Sequence, residues 1–132
     1  MRASIAILVV SAVACLPALA AGDTSPANLL NDWRATAGAG TDFSAERGQQ
    51  LFQRKGSDWS CSTCHTMDPR AAGKHATTGK PILALAPSAN PQRFTDRAKV
   101  DKWFRRNCRD VLGRECTPTE KGDVLTWLLS VR

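Results

Sequence analysis

Residues 61–65 read Cys-Ser-Thr-Cys-His, which puts two thiols and an imidazole within five positions. That spacing suits one chemistry well. Two thiols three residues apart can add to the two vinyl groups on one edge of a porphyrin, and the next residue then brings an imidazole under the iron as proximal ligand. Two other uses of C-x-x-C compete. A redox dithiol of the thioredoxin type belongs in a βαβ setting, and no such pattern surrounds the motif. A zinc site needs a second pair of ligands, and Cys108 and Cys116 are poorly spaced for a second knuckle. The motif therefore points to one covalent haem c per chain, with Cys61, Cys64 and His65 as its binding residues.

The sixth position of such an iron is the next question. Small electron-transfer cytochromes of class I usually supply a methionine some tens of residues after the motif. This chain has two methionines. Met1 lies in a leader-like segment, and Met67 follows His65 too closely to reach the opposite face of the ring. The remaining candidates are His75, Lys74, Lys80, Asn107 or no residue at all. His75 stands in a loop rich in Gly and Thr, where a histidine is more often a haem-edge or surface residue than a ligand, yet it is the main competitor. A lysine must first lose its proton. Asn107 belongs to a helical stripe, Val100, Trp103, Phe104 and Asn107, at i, i+3, i+4 and i+7. Three of those residues are core formers, with Trp103 and Phe104 expected to line a pocket. The fourth carries an amide that cannot be buried without a partner, and iron would be such a partner. The competing role for Asn107 is to cap a buried backbone group.

The elements that must position these groups can be read from local signals. Ser25 with Pro26 starts a helix over 26–36, with Leu29, Leu30 and Trp33 on its buried side. Ser44 caps a second helix ending near Gly56, in which Gly48, Leu51 and Phe52 share a face. Thr95 or Asp96 opens the Asn107 helix, which runs to about Gly113. Thr117, Pro118 and Glu120 form a capping box ahead of the stripe Val124, Trp127, Leu128 and Val131. The stretch between His65 and this third helix is rich in Gly, Pro and Thr and reads as a loop around the haem edge, with Ile82, Leu83 and Leu85 as its apolar wall. Strand-like alternation is absent, so the fold class expected is all-α. A helix with Gly48 and the Leu51-Phe52 pair followed by C-x-x-C-H resembles the class I cytochrome c pattern, which implies a small class I cytochrome c-like haem-binding helical domain.

Residues 1–20 read as a signal peptide. Arg2 is followed by an apolar run that ends in Ala18-Leu19-Ala20, an A-x-A site. Cleavage there leaves residues 21–132 as the c-type cytochrome domain, exported to the periplasm. No later segment is long and apolar enough to span a bilayer, so membrane association is expected only through a partner. Lys and Arg total 18 against 12 for Asp and Glu, a net charge of +6. That balance favours an acidic protein partner or an anionic ligand. The basic residues are not interleaved with exposed aromatics, so nucleic acid is not expected. Export also makes idle free thiols unexpected among Cys61, Cys64, Cys108 and Cys116.

The segments "FSAERGQQLFQRKG", "CSTCH", "GKHATTGKPI", "RFTDRAKVDKWFRRNCRDVLGREC" and "EKGDVLTWLL" together resemble the sphaeroides haem protein family of monohaem c-type cytochromes. They span nearly all of 43–129, and "WFRRNC" followed by Cys116 is the most specific part. The resemblance implies that Asn107 is the sixth ligand of ferric iron, that it leaves on reduction, and that Cys108 pairs with Cys116. It implies binding of small diatomic ligands such as oxygen and nitric oxide, with redox chemistry on them. It also implies electrons from a redox partner, a dihaem cytochrome c. A plain electron carrier with a permanent sixth ligand is the alternative function.

Overall fold

The structure is a computed structural model and describes residues 22–132. The leader expected over 1–20 lies outside the described residues. Five helices make the fold: α1 (Pro26–Ala37), α2 (Ala45–Gln53), α3 (Cys61–His65), α4 (Arg97–Leu112) and α5 (Pro118–Ser130). The helix starts follow the local chemistry. The Ser25 hydroxyl accepts from the Asn28 amide at 3.2 Å and Pro26 takes the first turn. Ser44 accepts from Arg47 N at 3.2 Å. Asp96 rather than Thr95 caps α4, accepting from Lys99 N at 2.9 Å. At the far end of α4, Gly113 takes the left-handed conformation and returns its N–H to Arg109 O. Thr117 and Glu120 form the reciprocal capping box of α5.

Helices α1, α2 and α5 form the packed body, with α5 in contact with both of the others. Leu29 and Trp33 of α1, Phe52 of α2 and Val124, Leu125, Trp127 and Leu128 of α5 meet in one core, joined by Phe94 and Val100. Leu29, Phe52, Leu125 and Leu128 are fully buried. Each contributes roughly 1.5–3 kcal/mol by leaving water. The α2–α5 crossing is close because residue 48 is glycine: a Cβ there would lie 2.0 Å from Asp123 O. Asp123, only 4% exposed, locks the same crossing. Its carboxylate accepts from Ser44 N at 2.7 Å and from Arg47 Nε at 2.8 Å and Nη2 at 2.9 Å. The buried charge is thereby paired and hydrogen-bonded, the condition under which burial is tolerated.

Two expectations need correction. The loop after the motif contains a two-residue antiparallel ladder, β1 (Gly73–Lys74) with β2 (Pro81–Ile82), closed by a turn in which Gly79 has φ +67°. Two residues per strand are too few for any alternation to register in the sequence. The apolar stripe of α4 is also rotated. Val100, Cys108 and Val111 are buried, and Phe104 packs edge-on to Trp33 at 5.3 Å. Trp103 sits at the margin of that stripe and is 45% exposed, with Lys102 and Arg106 beside its ring. Spacing i, i+4, i+8, i+11 is the truer core period here. No helix among the described residues is long and apolar enough to cross a membrane.

Candidate functional site

The motif Cys61–His65 is itself the short helix α3. It begins with a capping box of its own: Ser60 Oγ accepts from Thr63 N at 3.2 Å while Thr63 Oγ1 accepts from Ser60 N at 3.0 Å. This signal, S-x-x-T at residues 60–63, overlaps the start of the motif. Its consequence is that the helical turn presenting both thiols and the imidazole is fastened at its start. Two further contacts fasten the motif from outside. Gly73 of β1 lies so close that a Cβ there would be 2.0 Å from Cys64 O. The amide of Ala76, in the hairpin turn, donates to Cys64 Sγ at 3.4 Å.

Cys61 and Cys64 are half-buried and not bonded to each other. Burial pushes the Cys61 thiol up to about 11, so it is held as a neutral thiol rather than a thiolate. His65 lies 6.2 Å from the Phe52 ring between centroids. Burial, with the Arg93 charge adding, lowers its pKa to about 4. It is therefore neutral near pH 7, the form that can give a lone pair to a metal. Its Nδ1 is buried without a hydrogen-bond partner. A buried, unpartnered imidazole nitrogen next to two unpaired thiols is what the haem's donor set requires, so the residues fit the group. The competing zinc arrangement does not form, because Cys108 and Cys116 are bonded to each other.

Asn107 lies on α4, half-buried, and its side chain makes no hydrogen bond among the described residues. It caps no backbone group. Its neighbour Cys108 is buried and bridged to Cys116, with Cα atoms 5.6 Å apart, so the bridge ties α4 at Asn107 to the residue before the α5 cap. The other sixth-ligand candidates differ. Met67 is 63% exposed. His75 is half-buried in the hairpin, and its Nδ1 accepts from Thr77 N and Thr78 N, both at 3.2 Å. Lys74 and Lys80 are exposed. No hydrogen bond or ring contact joins Asn107 to the motif among the described residues. Helix α4 does not pack closely along another helix, so it is held near the body by Phe104, by the bridge, and by the 54–60 loop, where Gly56 lies against Val111 O.

Of the expected apolar wall, Ile82 and Leu85 are half-buried and Leu83 is exposed. The loop that bears them is pinned from two sides. Pro69 O accepts from Leu85 N and Ala86 N, and Arg93 and Asn90 donate to Ala84 O. Arg106 and Arg109, which flank Asn107, pair at the surface with Asp110 and Glu115. Exposed pairs of this kind contribute little, and Arg105 faces water.

Comparison with known proteins places this geometry among haem proteins. Residues 38–128 match the family model described as Domain of unknown function (DUF1924). Cytochrome c-type protein SHP of Cereibacter sphaeroides is 54% identical, over 92% of this chain and 95% of that one. Cytochrome c'' of Methylophilus methylotrophus is 42% identical over 63% of this chain and 61% of its own length. Among solved structures, that of oxidized SHP, an oxygen binding cytochrome c, aligns with TM-score 0.75 and 52% identity, covering 81% of this chain and 97% of that one. Oxidized cytochrome c'' from M. methylotrophus aligns with TM-score 0.73 and 34% identity, over 81% of this chain and 94% of that one.

Proposed function

Because the chain belongs to the DUF1924 family and, within it, to the sphaeroides haem protein group of monohaem c-type cytochromes, we propose that it is an exported cytochrome whose Asn107 is a labile sixth ligand, released on reduction to admit small diatomic molecules. The all-α fold and a single covalent haem c are properties of the group. The haem, when bound, supplies an iron that cycles between ferric and ferrous states and takes a diatomic molecule when its sixth position is open.

The chain's own residues do the rest. Cys61 and Cys64 would hold the group by thioether bonds, each thiol adding across one vinyl double bond with its proton going to the vinyl carbon. His65, neutral and buried, would give an imidazole lone pair to the iron. Asn107 offers a neutral amide, whose attraction to the metal is that of a dipole to a charge and weakens when the metal gains an electron. Reduction would therefore favour release of the amide. A softer, more polarisable ligand would respond less, and a pure electron carrier gains nothing from the change because ligand loss adds reorganisation to every transfer.

The observation that carries this reading is the half-buried, unpartnered amide of Asn107, held next to a bridged cysteine while His75 Nδ1 is occupied by two backbone amides. The periplasm is the expected compartment, and a dihaem cytochrome c the expected electron donor. The ferrous protein's visible spectrum, taken with and without carbon monoxide, is the test. Rapid carbon monoxide uptake supports the reading. A ferrous protein that stays six-coordinate and inert to carbon monoxide makes it a plain electron carrier.

A further inference from the structure

Arg93 stands in the loop before α4, half-buried. Its Nε donates to Ala84 O at 2.9 Å and its Nη2 to Leu83 O at 2.7 Å. Its remaining nitrogen, Nη1, has no partner among the described residues. Arg47, Arg70, Arg97, Arg106, Arg109 and Arg114 each lie against a carboxylate. Arg93 does not, although it is half-buried, and that burial lowers its pKa. The carbonyls it holds belong to the 83–86 segment, whose Leu85 and Ala86 amides donate to Pro69 O, four residues past His65, so Arg93 is fastened to the loop that follows the motif.

A half-buried cation without an anion is costly. The two carbonyls orient the guanidinium but leave its charge whole. What the site lacks is a carboxylate, the group that a guanidinium fork binds best. A haem has two ionisable groups, and both are propionate carboxylates. We propose that Arg93 is a cofactor-binding residue that pairs with a haem propionate, with Leu83 O and Ala84 O aiming the fork. An acidic side chain of a redox partner has the same chemistry and is the other source of a carboxylate. The inference rests on the haem at Cys61, Cys64 and His65 and does not depend on release of Asn107. Carbon monoxide uptake by the wild-type ferrous protein tests that release separately.

The test uses the holoprotein and three variants. Arg93→Gln removes the charge while keeping donors for the carbonyls. Arg93→Lys keeps the charge and loses the fork. Asn90→Ala removes the other donor to Ala84 O, at 3.2 Å, and loosens the loop without touching the charge. The readouts are the midpoint potential of the isolated protein and the propionate bending band in its resonance Raman spectrum. Arg93→Gln should raise the ferric-to-ferrous ratio at fixed potential roughly tenfold, a midpoint lower by about 59 mV for one electron, and should move the band. Arg93→Lys should keep a midpoint near wild type while moving the band, and Asn90→Ala should change neither. An unmoved band in Arg93→Gln overturns the pairing. So does an Asn90→Ala variant that shifts the midpoint as much as Arg93→Gln, since the effect is then one of loop order. Unchanged readouts in isolation, with a slower salt-dependent reaction with an acidic redox partner, assign the carboxylate to that partner and equally overturn the proposal.

Discussion

Replacing Gly48 with alanine sets two known effects against each other. Helix propensity favours alanine over glycine by about 1 kcal/mol. Against this stands the α2–α5 crossing, where the new Cβ would lie 2.0 Å from Asp123 O, 2.4 Å from Asp123 C and 2.8 Å from Val124 N. All three are backbone atoms of a helix and cannot swing aside as a side chain would. Ordinary contact begins at 3.4 Å, so α2 and α5 must part by roughly an ångström or more. Overpacking of this kind costs typically 1–3 kcal/mol, occasionally more. The separation also opens gaps around Phe52 and Leu128, and a gap of 0.5–1 Å forfeits about a quarter to a half of each contact's dispersion. It further stretches the Asp123 bonds to Ser44 and Arg47. The net expectation is a loss of about 3 kcal/mol, or about 10–15 °C in Tm for a domain of this size. Thermal unfolding of the ferric protein followed by circular dichroism measures it, with Gln49→Ala on the exposed side of α2 as control. A Gly48→Ala protein as stable as wild type, or more so, refutes the close-crossing argument and leaves Gly48 a tolerated helix glycine.

Asn107→Ala should turn the ferric spectrum from low-spin toward high-spin or water-ligated while barely changing ferrous carbon monoxide binding, and His75→Ala should leave the ferric spectrum as it is; the reverse pattern makes His75 the ligand. Removing the bridge with Cys108→Ser and Cys116→Ser should lower stability by about 2.5 kcal/mol on the loop-entropy estimate, read as the urea midpoint, and an unchanged midpoint removes that contribution. Arg114, with help from Thr117, holds the Glu120 carboxylate down to about 2 from its ordinary 4.5. A depressed carboxylate stabilises the fold fully above its unfolded value, and that share is lost as pH falls through 4.5 toward 2. Glu120→Gln should flatten this part of the acid-unfolding curve, and an identical curve would show that the pair adds nothing.

The local signals were legible in the sequence because each closes within a few residues. Ser25, Ser44 and Thr117 act on amides three positions on, and Pro26 and Pro118 preset the first turn. The C-x-x-C-H motif is likewise a local chemical unit, and with the resemblance across 43–129 it settled the family and the cofactor. Tertiary structure decided what depends on groups far apart in the chain. Period alone placed Val100, Trp103, Phe104 and Asn107 on one face, but the partners offered by Trp33 and by Cys116 turned α4 toward Phe104 and Cys108 and left Trp103 at the margin. Gly73 bears on Cys64, Asp123 on Ser44 and Arg47, and Arg93 on Leu83 and Ala84. None of these pairings has a spacing rule, because their geometry exists only after the helices have packed. The caps, the motif and the core residues are therefore written in the chain, whereas the hold on the motif and the unpaired charge of Arg93 arise from which backbone carbonyls and side chains the packed helices bring within hydrogen-bond reach.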